Sequence, residues 1–137
     1  MNSDKVSFEL ASPEALLVST DVDMVVVPGS EGDFGVLPGH APFISTVRPG
    51  VIDVYQGDRV EQRIFVTDGF AEVNERRCTV LASQASPLET LDRGEVEARL
   101  KTAEADLSDA DSDAERAAAE KEIAVCEAML AALDRNV

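Results

Sequence analysis

The chain has no tryptophan, one tyrosine and five phenylalanines, so aromatic residues make up only 4% of its 137 positions. That is too few for a broad stacking surface of the kind that holds single-stranded nucleic acid. Basic residues are also scarce. Twelve Lys and Arg stand against 27 Asp and Glu, for a formal charge of −15. Such a chain repels phosphate backbones and anionic headgroups, which argues against nucleic-acid binding and for a partner with basic patches. The two cysteines, Cys78 and Cys126, lie far apart, and neither sits in a CxxC or beside a histidine. A zinc site therefore has no ligand set, and both thiols read as small buried apolar groups in a reducing compartment. No apolar run approaches the roughly 20 residues of a membrane span. The opening MNSDKVSFEL lacks the basic head and apolar core of a signal peptide, so a cytosolic protein is expected.

What is present is enough to fold. Apolar residues make up 45% of the sequence, and they follow two grammars. From Val6 to about Leu88 they come in short β-patterned runs: Val6, Phe8 and Leu10; Val22, Met24 and Val26; Val51 to Tyr55; Arg63 to Thr67; Phe70 to Val73; Cys78 to Ala82. Turn residues separate them at Ser12-Pro13, Pro28-Gly29, Pro49-Gly50, Gly57-Asp58, Asp68-Gly69 and Asn74-Glu75. Frequent turns between short strands predict an antiparallel sandwich or barrel. The continuous run Val25-Val26-Val27 predicts a strand covered on both faces.

After Ser86-Pro87 the pattern becomes helical. Val96, Leu100, Ala103 and Leu107 recur at helix spacing, and Ala119, Ile123, Cys126, Leu130 and Leu133 form a second stripe. Between them lies SDADSDA, with Ser112 and Glu115 placed as a capping box. The pattern predicts a hairpin of two antiparallel helices over 89–137, alanine-rich and close-packed. Its large apolar residues are few, so it is expected to depend on docking, whether permanent or movable.

The segment GSEGDFGVLPGHAPF, Gly29 to Phe43, holds four glycines, two prolines, two acids and the single histidine. It is not a phosphate loop. The spacing is not GxGxxG, no GK precedes Ser or Thr, and Glu31 and Asp33 would repel phosphate. Asp33-Phe34-Gly35 matches a kinase trimer in a sequence that lacks every other kinase element. For His40 to serve as a base it needs a positioned partner; Asp33, Asp53 and Asp68 exist, but no spacing selects one and no GxSxG is present. The stretch reads as a stiff, acidic-tipped docking loop rather than an active site.

VVVPGSEGDFGVLPGHAPFISTVRPGVIDV (Val25 to Val54), RIFVTDGFAEV (Arg63 to Val73) and CTVLAS (Cys78 to Ser83) closely resemble, in order, the epsilon subunit of F-type ATP synthase. The resemblance is strong over the first 88 residues and looser beyond. It implies a β-sandwich of about ten antiparallel strands over 1–88, then a C-terminal antiparallel α-helical hairpin over 89–137. It implies a non-catalytic rotor subunit that binds the gamma subunit and the c-ring. In that role it would couple proton flow to ATP synthesis and restrain hydrolysis, reaching the alpha and beta subunits through its hairpin. The resemblance also implies a peripheral position on the cytoplasmic face of a bacterial inner membrane, or an equivalent energy-transducing membrane, without insertion. The c-ring-facing turn corresponds to Ser30, Glu31, Gly32, Asp33 and Phe34, and the gamma-facing side to Ser12, His40, Ala41 and Pro42.

Two departures qualify the resemblance. Some members bind ATP through Ile/Leu-Asp-x-x-Arg-Ala near the first helix. Here Leu91 and Asp92 match, but Glu95 replaces the Arg and Val96 the Ala. Arg93 and Arg99 remain as weak substitutes, and no bound nucleotide or other cofactor is expected, since phosphate needs converging donors. Residues 89–137 also carry six basic residues against 14 acids, a net −8, which opposes docking on an acidic segment of the catalytic head. Weak inhibition is the expectation. The rival readings are a stand-alone adaptor or ATP-sensing module on the same fold, and a small hydrolase using His40.

Overall fold

The computed structural model of the protein describes residues 4–135. It divides into two compact units, Met1–Pro87 and Leu88–Val137. The first holds ten strands: β1 Val6–Ala11, β2 Leu16–Val22, β3 Met24–Gly29, β4 Gly32–Val36, β5 Phe43–Val47, β6 Gly50–Gln56, β7 Arg59–Val66, β8 Gly69–Val73, β9 Arg77–Ala82 and β10 Ala85–Pro87. They form one continuous sheet in the order β10-β7-β6-β3-β5-β8-β9-β1-β2, with β4 paired on β3. Every pairing is antiparallel except β1 with β9. The sheet turns its corner where β3 meets β5 through a single residue pair, Gly29 with Val47. The result is a curled β-sandwich.

Alternation produces the interior. Val6, Phe8 and Leu10 of β1 are buried while Ser7, Glu9 and Ala11 are not. Val25 and Val27, Ile52 and Val54, and Cys78 and Val80 belong to the same apolar cluster, which draws on nine strands. Removing these side chains from water is the main favourable contribution to this unit. Thr67 is the buried polar side chain among the described residues, and its hydroxyl accepts from the Gln84 amide at 3.0 Å.

Three expectations need correction. Val22, Met24 and Val26 do not share a strand: Val22 ends β2, Met24 opens β3 and Asp23 bends the backbone between them. The Asp23 carboxylate accepts from Lys5 at 2.7 Å and from the Gly57 amide, anchoring the bend. Pro28-Gly29 is not a turn but the end of β3, and the turn falls at Ser30-Glu31. Proline is tolerated there because its carbonyl points away from β4, accepting the Arg48 amide at 3.0 Å. Its missing N–H falls on the edge that β6, paired only to Met24–Val26, does not reach. Third, the valine run is not covered on both faces, since Val26 is only half-buried between buried Val25 and Val27.

The second unit begins with a 3-10 turn, Leu88–Thr90, followed by helices α1 Arg93–Ser108 and α2 Asp113–Arg135. Asp92 caps α1, accepting from the Glu95 amide at 3.1 Å. The Ser112 hydroxyl accepts from the Glu115 amide at 3.1 Å, as a capping box requires. The reciprocal arm differs, because the Glu115 carboxylate accepts from the Asp111 amide at 3.2 Å instead. Val96 and Ala103 are buried on α1, and Ala119, Val125, Cys126, Met129 and Ala132 on α2. Leu100, Leu107, Ile123, Leu130 and Leu133, expected in the stripes, are half-buried.

Candidate functional site

The expected ring-facing residues form the tip of a two-residue β-hairpin. Ser30 and Glu31 make the turn between Gly29 and Gly32, which pair directly. Gly32 has φ +134°, a conformation that disfavours any side chain. A Cβ on Gly29 would lie 2.9 Å from the Phe34 ring and 2.8 Å from the Gly32 carbonyl, so the bare backbone is needed for Phe34 to fold back over it. Phe34 then meets Phe43 edge to face, centroids 5.1 Å apart. The Arg48 guanidinium reaches Asp33 at 2.6 Å. Of the tip's two acids, Glu31 alone projects without an ion-pair partner among the described residues.

The expected gamma-facing residues do not come together. The register places Phe43 opposite Val73, and Val73 opposite Cys78, at one end of the strands, with Val47 opposite Gly69, and Gly69 opposite Ala82, at the other. His40, Ala41 and Pro42 precede Phe43 and line a groove of about 420 Å³ with Gly39, Asn74, Glu75 and Arg76. His40 Nδ1 lies 2.6 Å from the Ala41 carbonyl, an acceptor only, so that nitrogen carries the proton. Ser12 follows Ala11, which pairs with Leu81, and therefore sits at the opposite end.

Between those ends lies a feature that the sequence pattern did not reveal. Register aligns Thr46, Phe70, Leu81, Ala11 and Leu16 in one row across β5-β8-β9-β1-β2. On β8, β9 and β1 the strand neighbours Ala71, Val80, Ala82 and Leu10 are buried, so this row faces outward; at the β2 end the register shifts beside Leu16, and Leu17 is exposed as well. Phe70 is 45% exposed, Leu81 40% and Leu16 59%, and Ile44, two residues from Thr46 on the same face, is 71% exposed. A contiguous apolar face of this kind marks an interaction surface. Its signal in the sequence is a parity violation. Phe70 shares its side of β8 with Glu72, and Leu81 shares its side of β9 with Thr79.

In the hairpin, Arg99 forks onto Glu122, Nε to Oε2 at 2.9 Å and Nη2 to Oε1 at 3.0 Å, and its third nitrogen lies 3.8 Å from the Met129 sulfur. Arg93 pairs with Asp134. Both arginines tie α1 to α2, Asp92 is engaged as a cap, and Leu91 continues the 3-10 turn with its amide donating to the Leu88 carbonyl. Burial pushes the Cys78 thiol up to about 12. The Cys126 thiol is also raised, by burial first and then by the neighbouring Glu122 carboxylate. Among the described residues, no cluster of His, Cys, Asp and Glu is arranged to hold a metal ion, and no helix is long and apolar enough to cross a membrane.

A curled ten-stranded sandwich with an exposed apolar face and a stiff hairpin tip, followed by a helical pair, has the architecture of a docking subunit. The family models agree in both units: residues 5–88 match the beta-sandwich domain of the ATP synthase Delta/Epsilon chain, and residues 92–136 match the C-terminal domain of the ATP synthase epsilon chain. The protein is 55% identical over 130 residues to the ATP synthase epsilon chain of Rhodospirillum rubrum, covering 95% of this chain and 97% of that one. It is 56% identical over 131 residues to the epsilon chain of Paramagnetospirillum magneticum, covering 96% and 98%. Among solved structures, a subunit of the Euglena gracilis mitochondrial ATP synthase (OSCP/F1/c-ring) superposes with TM-score 0.83 at 26% identity, over 95% of this chain and 82% of that one. A subunit of the Tetrahymena thermophila mitochondrial ATP synthase central stalk/c-ring shares the fold, with TM-score 0.66 at 16% identity over 93% and 96%. The protein belongs to the ATP synthase epsilon chain family, the non-catalytic central-stalk subunits of F-type ATP synthases.

Proposed function

We propose that the outer face of β5-β8-β9-β1-β2 seats on the gamma subunit, with Ser12 at one end and His40, Ala41 and Pro42 at the other. The Ser30–Phe34 turn meets the c-ring, and the hairpin is a weak brake on ATP hydrolysis. The observation that carries this reading is the exposed row of Phe70, Leu81 and Leu16 with Ile44 beside it. Apolar area of that kind gains most when a partner covers it. The turn's outward acid, Glu31, suits a basic or polar loop. A position peripheral to the membrane, on its cytoplasmic side, follows from contact with both partners.

The hairpin's net charge of −8 opposes approach to acidic surfaces of the alpha and beta subunits, and Arg93, Arg99 and Arg116 among its six cations are already committed to Asp134, Glu122 and Asp113. We assign it no nucleotide, because the two arginines closest to the family's ATP motif each face a carboxylate rather than a shared phosphate position.

The test is ATP hydrolysis by a catalytic complex depleted of this subunit, with either the full-length protein or a version ending at Pro87 added back. The shorter version keeps every residue of the sandwich core. Both are expected to bind and to act alike. Slowing by the full-length protein alone would refute the weak-brake reading, and failure of both to bind would refute the seat on gamma.

A further inference from the structure

We propose that Arg48 is a positioning residue for the Ser30–Phe34 turn, the strut that holds it at a fixed angle to the rest of the sandwich. The inference rests on the reading of that turn as the c-ring contact. Arg48 follows β5 and belongs to the opposite half of the sheet from the hairpin it touches. One guanidinium nitrogen donates to the carbonyl of Gly29, the last residue of β3. Another donates to the Asp33 carboxylate at 2.6 Å, on β4. The two acceptors flank the turn on its two strands, so one planar group spans the hairpin just below its tip.

A hairpin left to itself would swing. β3 joins β5 through a single residue pair, and β6 supports only Met24–Val26. Beyond Val26 that edge of β3 is held to β5 by one backbone bridge alone, the Arg48 amide donating to the Pro28 carbonyl at 3.0 Å and the Ser30 amide to the Thr46 carbonyl at 2.9 Å. Three side-chain bonds reinforce that single bridge: the two from the Arg48 guanidinium and a hydrogen bond of 2.6 Å between the Ser30 and Thr46 hydroxyls. Arginine suits this place because its rigid fork satisfies two acceptors at once, whereas lysine offers a point charge. Pairing also silences Asp33, so the turn presents Glu31 as its outward charge. An exposed ion pair adds little to global stability; its value here is angular.

The variants are Arg48→Ala, Arg48→Lys and, for the turn itself, Glu31→Lys, each in the full-length protein. Backbone bonds of Arg48 survive in all of them, so the guanidinium is isolated. Two quantities are read: hydrogen exchange of the Ser30 amide in the purified protein, and proton pumping per ATP hydrolysed in the reconstituted complex. In Arg48→Ala, Ser30 exchange is expected to rise about tenfold at unchanged melting temperature, and pumping per ATP to fall while hydrolysis continues. Arg48→Lys should recover only part of the protection. Unchanged Ser30 exchange in Arg48→Ala would overturn the proposal, as would faster exchange with full pumping if Glu31→Lys impairs pumping. Faster exchange with full pumping in both Arg48→Ala and Glu31→Lys would instead overturn the c-ring reading and leave Arg48 as the anchor of the turn.

Discussion

Replacing Phe70 and Leu81 together by threonine should weaken binding to gamma without weakening the fold. The two residues pair directly across β8 and β9 and are 45% and 40% exposed. Full burial of such a side chain stabilises by roughly 1.5–3 kcal/mol. Somewhat under half of each remains to be covered, so the partner gains about 1 kcal/mol from each and about 2 kcal/mol from the pair. That corresponds to a roughly 30-fold loss of affinity. Threonine keeps β-propensity, and the core face of both strands is untouched, so the melting temperature should move little. The pair is adjacent, and the single variants are not expected to sum to the double. The assay is calorimetric titration of the purified variants into a gamma-containing complex lacking this subunit. A double variant that binds within twofold of the unaltered protein would refute the assignment of this face.

Other consequences concern the scaffold. A Cβ on Gly69 would lie 1.9 Å from the Leu81 carbonyl oxygen, where ordinary contact begins near 3.4 Å. Gly69→Ala must therefore part β8 from β9 and is expected to cost about 2–4 kcal/mol, seen as a melting temperature lower by about 10 °C or more; a shift of a degree or two would contradict the close approach. The Lys5 hydrogen bond, followed by the Gly57 amide, holds the Asp23 carboxyl below its usual value. Because the folded value is the lower one, this contribution to stability is present above about pH 4 and is lost as pH falls through the depressed value. Asp23→Asn should flatten that part of the acid-unfolding profile, and an unchanged profile would contradict the anchoring of the β2–β3 bend.

The strands that were legible in the sequence are those whose interior residues alternate cleanly, as in Val6-Phe8-Leu10 and Cys78-Val80-Ala82. β4 and β5 were not, because glycines and prolines needed for the tip and its corner mask the pattern over Gly29–Phe43. The join between β2 and β3 was invisible for the opposite reason. Val22, Met24 and Val26 keep strand spacing straight across a bend that is fixed by Asp23 through partners 18 and 34 residues away. In α2, alanines on several sides leave the stripe undetermined by spacing alone. Burial centres on Val125, Met129 and Ala132 as well as on Ala119 and Cys126, and Arg99–Glu122 and Arg93–Asp134 tie the two helices together. The proposed docking face was legible only in part. Its ends, Ser12 and His40, came from the family resemblance, while its middle hides apolar side chains at positions where strand parity calls for polar ones.

Site-directed cross-linking tests the two-surface account most directly. Single substitutions Glu31→Cys and Leu81→Cys would be placed in the assembled synthase, with the native thiols silent because Cys78 and Cys126 are buried and their ionisation is suppressed. The account predicts that Glu31→Cys captures the c-ring and Leu81→Cys captures gamma. Capture of gamma from position 31, or no capture of gamma from position 81, would contradict it.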